Sequence, residues 1–174
     1  MSRLGYVPPM PEDPRSNDSS ERVPFGGQHV PADAKRRLVS DVFDSVANRY
    51  DLMNDIMSGG IHRIWKRRLL DELAVRPPTR LLDLAGGTGD IALRALQRFA
   101  QRETEITICD INLKMLNIGR QRVWDRGHLH RINWLCADGE ALPIPDHSFD
   151  ACTLAFGLRN MTHIERGLAE IFRI

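Results

Sequence analysis

The chain has 174 residues, 42% of them hydrophobic and 27% charged, with 24 basic and 23 acidic side chains. That make-up suits one soluble globular domain, and the near-cancelling charge gives no general footprint for nucleic acid. No apolar run is long enough to span a bilayer, and the six histidines, His128 and His130 included, lack metal-ligand spacing.

The first 24 residues hold five of the ten prolines among Ser, Asn, Asp and Glu, a composition that predicts disorder. Glu12, Asp13, Asp18 and Glu21 argue against a transit peptide, which is acid-poor, and there is no secretory apolar core. A helical lid is expected over 25–75. In its first helix Leu38, Val39, Val42, Phe43, Val46, Ala47 and Tyr50 recur at helical spacing. In its second, Ile61, Ile64, Trp65, Leu69 and Leu73 form the stripe, with Arg63, Lys66, Arg67 and Arg68 around it. The stripes predict that these apolar residues are core, in a hairpin over the crevice. Basic amphipathic helices also suit an anionic membrane surface.

After Pro77 and Pro78 the residues 80–85 are short, apolar and followed by glycines, as a buried parallel strand should be. Gly86, Gly87 and Gly89 allow a sharp turn and close approach of a ligand to the backbone. A helix opening at Gly89 or Asp90 then carries Ile91, Leu93, Ala95, Leu96 and Phe99 on one face. A second strand at 106–110 ends in Asp110, placed to accept the hydroxyls of a ribose. A third strand at 132–135 leads to Asp138 and Gly139, where the carboxylate could accept from an adenine amino group. A fourth is expected at 149–156 and a helix at 164–174. Cys109, Cys136 and Cys152 lie in or beside these apolar segments without C-x-x-C spacing and read as buried thiols of a reducing compartment.

The expected fold class is therefore α/β, a mostly parallel Rossmann-like sheet with helices on both faces, over residues 76–174. Two cofactors fit the spacing. Gly87 to Ala92 satisfies G-x-G-x-x-G/A, with Asp110 at the distance of a dinucleotide's ribose carboxylate, so an NAD-dependent oxidoreductase is one reading. Asp83, just before the glycines, sits badly beside a pyrophosphate and well beside the cationic methionyl end of S-adenosylmethionine (SAM), which is the other.

Further motifs surround this core. Tyr50 to Lys66, reading YDLMNDIMSGGIHRIWK, resembles the signature of the ubiquinone/menaquinone biosynthesis C-methyltransferases, the UbiE family. Val42 to Ala47, Asp83 to Asp90, Cys109 to Asn112 with Met115 and Leu116, Asp138 to Pro143, and Ala155 to Asn160 are also family-like, over residues 25–174 in all. The resemblance decides SAM over NAD. It implies a class I methyltransferase fold and methyl transfer to a ring carbon of a polyprenylated benzoquinol or naphthoquinol.

By position the resemblance assigns Thr88, Asp110, Asp138 and Gly139 to the cofactor, joining Asp83, Gly86, Gly87 and Gly89 from the turn itself. Ala155 departs from the serine that many members carry. The ring carbon becomes nucleophilic when its neighbouring hydroxyl loses a proton, so a base or held water and a positive charge near the phenolate are expected. Arg159 is the candidate for that charge, with Asn160 orienting it, and Tyr50, Asp51 and His62 are candidates for acid–base or substrate contact.

The family fold continues with a basic turn and three more strands, so the chain is expected to be a fragment, inactive alone, with β-edge pairing as a hazard. A SAM-binding scaffold without turnover is the alternative in another class. Expected partners are the lipid-soluble quinol, a membrane surface, other quinone-biosynthesis proteins or a second copy. The expected location is cytoplasmic at the inner membrane, or the matrix side of the mitochondrial inner membrane.

Overall fold

A computed structural model describes residues 21–46 and 58–174. It begins with an antiparallel hairpin of β1 (Arg22–Phe25) and β2 (Gln28–Pro31). The connecting Gly26 and Gly27 have φ of 54° and 83°, the two consecutive positive values that a two-residue hairpin turn demands. Disorder was expected through Pro24, yet Arg22 to Pro24 pair with His29 to Pro31. The Gly26-Gly27 turn that adjoins the proline-rich stretch outweighs its composition there.

Two helices follow, α1 (Ala32–Val46) and α2 (Ile61–Val75). The alternating units come next: β3 (Arg80–Leu84), α3 (Asp90–Arg98), β4 (Glu105–Asp110), α4 (Leu113–Asp125), β5 (Ile132–Cys136), β6 (Ala151–Leu154) and α5 (Ile164–Arg173). All four long-chain strands are parallel, in spatial order β5-β4-β3-β6. Strand order thus runs outward from β3 to β5 and then returns to the far side of β3. The point of reversal, between β3 and β6, is where an open parallel sheet leaves a crevice at its carboxyl edge.

Period-two alternation sends residues to two cores. Leu81, Ile106, Ile108, Ile132 and Trp134 meet α3, α4 and Leu70 of α2 on one face. Leu82, Leu84 and Cys109 meet Leu142, Met161 and Ile174 on the other. Burial on both faces explains why the strands read as continuous apolar runs. Asp150 clamps the β3 entrance, accepting from the Thr79 and Arg80 amides at 3.0 and 2.8 Å.

The lid stripes need correction. In α2, Ile61, Ile64 and Trp65 are 50%, 66% and 57% exposed, whereas His62, Lys66 and Leu70 are 6%, 7% and 4% exposed. The helix is rotated so that its 62–66–70 line faces the sheet, with Leu69 and Leu73 half-buried beside it. In α1, Val39 is buried but Leu38 and Val42 are exposed. Of the thiols, Cys109 is buried while Cys136 and Cys152 are only half-buried.

Candidate cofactor cleft

The crevice at the β3/β6 reversal is a cleft walled by the carboxyl ends of all four parallel strands and roofed by Val39, Ser40 and Phe43 of α1 and Lys66 of α2. Lys35 Nζ anchors α1 there, donating to the Met161 carbonyl oxygen at 2.5 Å.

The floor follows from close packing that only small residues allow. A Cβ on Gly86 would lie 2.8 Å from Ile108 Cγ2 and 2.9 Å from both the backbone oxygen and Oδ2 of Asp83. A Cβ on Gly157 would lie 2.4 Å from that of Ala85, so the ends of β3 and β6 touch because position 157 has no side chain. Ala85 and Phe156 hold φ of 52° and 67°, left-handed values that non-glycine residues rarely adopt. Such strain gathers where the surrounding structure overdetermines the backbone, and here both positions line the cleft.

Asp83, Asp110 and Asp138 stand among the carboxyl groups that line the space, with Asp90 and Glu140 beside them. Asp83, 1% exposed, receives the Thr153 hydroxyl on Oδ1 at 2.8 Å, while its buried Oδ2 has no hydrogen-bond partner. Burial pushes the Asp83 carboxyl up to about 7, against the Thr153 hydroxyl, the nearby Ala92 amide and the Lys66 ammonium. Asp110 accepts from the amides of Gly87 at 2.9 Å and Asn112 at 2.8 Å. Burial raises its carboxyl also, opposed by those two amides. Asp138 accepts from the Glu140 amide at 2.9 Å, which orders the loop after β5.

The two amides brace Asp110 from the loop side, and each carboxylate oxygen retains a further lone pair. Thr88 is buried, its hydroxyl receiving Arg122 Nη1 at 3.1 Å, and α4 approaches it so closely that a Cβ on Gly119 would meet its backbone at 2.9 Å.

Of the residues expected at the cofactor, Asp83, Gly86, Gly87, Thr88, Asp110, Asp138 and Gly139 all line the cleft. Gly89 does not; at φ 76° it starts α3 and donates its N–H to the Gly86 carbonyl at 2.9 Å, closing the turn from behind. Asn160 lines the cleft, but the neighbouring Arg159 is exposed and lies outside the lining. Both occupy a single helical turn, Leu158–Asn160, in which successive side chains diverge by about a third of a circle. His62 is buried, with Nδ1 2.7 Å from Ser58 Oγ, and does not line the cleft. Tyr50 and Asp51 lie outside the described residues.

Lys66 is one of the cleft residues, with Asp90, Asn112 and Glu140, that the sequence analysis does not assign to the site. The sequence pattern puts it among the basic residues around the α2 stripe, yet its Nζ is 2.8 Å from Asp90 Oδ2 inside the site. Asp90 is also held by Arg94 Nε at 3.0 Å. Burial alone would raise the Asp90 carboxyl, but the two cations outweigh it and hold it below the usual range. The available signal was the i, i+4, i+8 spacing of His62, Lys66 and Leu70, a helical line with two polar members.

A parallel sheet with this strand order and a glycine turn between two carboxylates is the class I SAM-dependent methyltransferase architecture. The fold resembles a SAM-dependent methyltransferase from Aquifex aeolicus, with TM-score 0.55 and 20% identity over 62% of this chain and 56% of that one. It also resembles a putative SAM-dependent methyltransferase from Methanococcus maripaludis, with TM-score 0.59 and 18% identity over 78% and 57% of the two chains.

Residues 31–174 match the ubiE/COQ5 methyltransferase family, and the chain belongs to it. It is 55% identical over 154 residues to the ubiquinone/menaquinone biosynthesis C-methyltransferase UbiE of Methylobacterium nodulans, covering 86% of this chain and 60% of that protein. It is 46% identical over 171 residues to the mitochondrial 2-methoxy-6-polyprenyl-1,4-benzoquinol methylase of Oryza sativa subsp. japonica, covering 89% and 58%. The chain therefore spans about 60% of the length of the first of these curated relatives.

Proposed function

We propose that this chain binds SAM in the β3/β6 cleft and serves C-methylation of a polyprenylated quinol, a 2-polyprenyl-6-methoxy-1,4-benzoquinol or a demethylmenaquinol. The observation that carries this reading is the buried, unpartnered Asp83 Oδ2 beside a glycine turn that admits no Cβ. A buried polar atom with no partner is costly, and a cationic guest relieves it. A pyrophosphate would add repulsion at the same place, which sets the dinucleotide reading aside.

SAM, when bound, supplies a methyl group on an electrophilic sulfonium. The chain's own residues bind and orient around it. Asp83 accepts from the cationic methionyl end, Asp110 offers its remaining lone pairs to the ribose hydroxyls, and Asp138 offers its own to the adenine amino group. Alignment supplies much of the rate in an in-line displacement. Asn160, within the cleft, is placed to orient the acceptor's hydroxyl. Arg159 can serve the phenolate only from the outer rim, because it faces solvent.

The exposed Ile61, Ile64 and Trp65, with exposed Arg63, Arg67 and Arg68 on the same helix, suit transient contact with an anionic membrane surface where a prenylated acceptor resides. Among the described residues no helix is long and apolar enough to cross a membrane.

Two assays separate the parts. Calorimetric titration with S-adenosylhomocysteine, with NADH as control, is expected to show binding of the first alone; the reverse result sinks the cofactor reading. Transfer of labelled methyl from SAM to a reduced short-prenyl quinol tests turnover. Binding without transfer supports the alternative of a cofactor-binding scaffold, which the outward position of Arg159 favours.

A further inference from the structure

Thr88 is the one residue of the turn 86–89 that carries a side chain, and the glycines on both sides of it offer no side-chain bracing of their own. Helix α4 supplies the bracing. Its Met115, Gly119 and Arg122 fall at i, i+4 and i+7 and so share one helix face. A Cβ on Gly87 would lie 3.1 Å from Met115 Cε, and one on Gly119 would lie 2.9 Å from the Thr88 carbonyl carbon and 3.1 Å from the Gly87 oxygen. Arg122 completes the line, donating from Nη1 to Thr88 Oγ1 at 3.1 Å across 34 residues of chain.

A basic residue in the last turn of a helix ordinarily serves that helix's own carboxyl end. Arg122 lies in the last turn of α4, yet it is half-buried and its guanidinium reaches the glycine turn. A hydroxyl has one proton to give and two lone pairs, whereas a guanidinium only donates. The Arg122 bond therefore occupies a lone pair of Thr88 Oγ1 and leaves the hydroxyl proton to be given elsewhere. Thr88 is 2% exposed, and no acceptor among the described residues takes that proton. Thr88 belongs to the cleft wall, and Arg122 stands outside it.

We propose that Arg122 is a positioning residue for the cofactor: from behind the wall it holds the Thr88 hydroxyl as a donor, with its proton directed to an acceptor atom of bound SAM. A side chain that orients a binding group in this way acts without touching the guest. The inference rests on the SAM reading above and adds to it the group that sets the polarity of Thr88.

The test is a double-mutant cycle over Arg122→Met and Thr88→Val, read by calorimetric titration of the 174-residue chain with S-adenosylhomocysteine. Each single variant is expected to weaken binding about fivefold, the size of one hydrogen bond. The double variant should bind within about twofold of Thr88→Val alone, because Arg122 acts through the hydroxyl that Thr88→Val removes. Arg122→Lys keeps a donor on a long stem and should recover part of the loss, and Thr88→Ser keeps the hydroxyl and should keep the dependence on Arg122.

Weakening of the parent and of Thr88→Val by the same factor on Arg122→Met would show a structural or long-range charge effect and would overturn the assignment. Binding unchanged by either single variant overturns it as well. Should Arg122→Met fail to give a native circular-dichroism spectrum, Arg122→Gln, whose shorter side chain also withdraws the donor, takes its place in the cycle under the same criterion. Binding by the parent with an additive cycle overturns the Arg122 assignment alone. Failure of the parent to bind S-adenosylhomocysteine overturns the cofactor reading and this one together.

Discussion

The β3–turn–β4 segment and helix α2 both wall the cleft, yet one is transparent in the amino-acid sequence and the other is misleading. In the first, backbone constraints do the specifying. Leu81, Leu82 and Leu84 must be buried because both sheet faces are covered, and Gly86 must be glycine because Ile108 and Asp83 occupy the space of its Cβ. In α2, the more apolar line, Ile61–Ile64–Trp65, is turned outward, and a line holding His62 and Lys66 is turned inward. Trp65 makes a tilted contact with Phe156, at 5.9 Å between ring centres. A helix face is chosen by its surroundings, and here a partly buried ion pair with Asp90 belongs to the surroundings. In this helix the polar residues at helical spacing mark the inward face better than the apolar stripe does.

The largest effect expected from breaking this contrast is at the turn. Gly86→Ala forces a Cβ against two backbone-anchored neighbours, and a loss of about 3 kcal/mol or more in urea unfolding is expected, together with loss of S-adenosylhomocysteine binding. A stable, binding-competent variant would show that the turn has slack. Next is Leu70→Ala on the inward line of α2, expected to cost about 2–5 kcal/mol by the same measurement. A loss below about 1 kcal/mol would mean that the inward face is not core.

Asp83 gives a pH signature between these extremes. Its folded carboxyl titrates at about 7, above the unfolded value of 3.8, so the folded chain holds a proton that the unfolded chain has released in that window. Stability from this group is therefore greatest at low pH and falls as pH rises through the window, by at most about 1.4 kcal/mol per pH unit, levelling above the folded value. Asp83→Asn should flatten that slope. Because a cation favours the carboxylate, S-adenosylhomocysteine affinity should rise with pH across 7 in the parent and not in Asp83→Asn. Identical profiles would remove Asp83 from the binding site.

The smallest effect expected is at the outward face. Ile64→Ser, at a position 66% exposed, should change stability by no more than about 0.5 kcal/mol. It should nevertheless weaken sedimentation with anionic lipid vesicles if that face meets a membrane. A stability loss comparable to that of Leu70→Ala would restore the original stripe.

Much of the cleft is legible in the amino-acid sequence. The strand–glycine–helix unit, the carboxylates Asp83, Asp110 and Asp138, and the family motifs announced a SAM-type crevice, and seven of the eight expected cofactor residues line it. Gly89 shares the motif yet stands behind the wall, since a glycine's backbone role and its exposure to a ligand are separate matters. The Arg159–Asn160 pair was read as one unit, but a helical turn points neighbours apart, and only Asn160 reaches the cleft. The β1–β2 hairpin was hidden because its Gly26-Gly27 turn adjoins a stretch dominated by proline and polar residues.

The sequence by itself determined whatever depends on local backbone rules: period-two strands, the glycine turn, the amphipathic α3, and the strand ends on which acidic side chains fall. Tertiary structure alone decided what depends on neighbours distant in the chain. It set which face of α2 is buried, the 2.8 Å pairing of Lys66 with Asp90 across 24 residues, and the isolation of Asp83 Oδ2. The reason is physical: a dihedral preference is a property of adjacent residues, whereas burial, desolvation and an ion pair come from groups that only folding brings together.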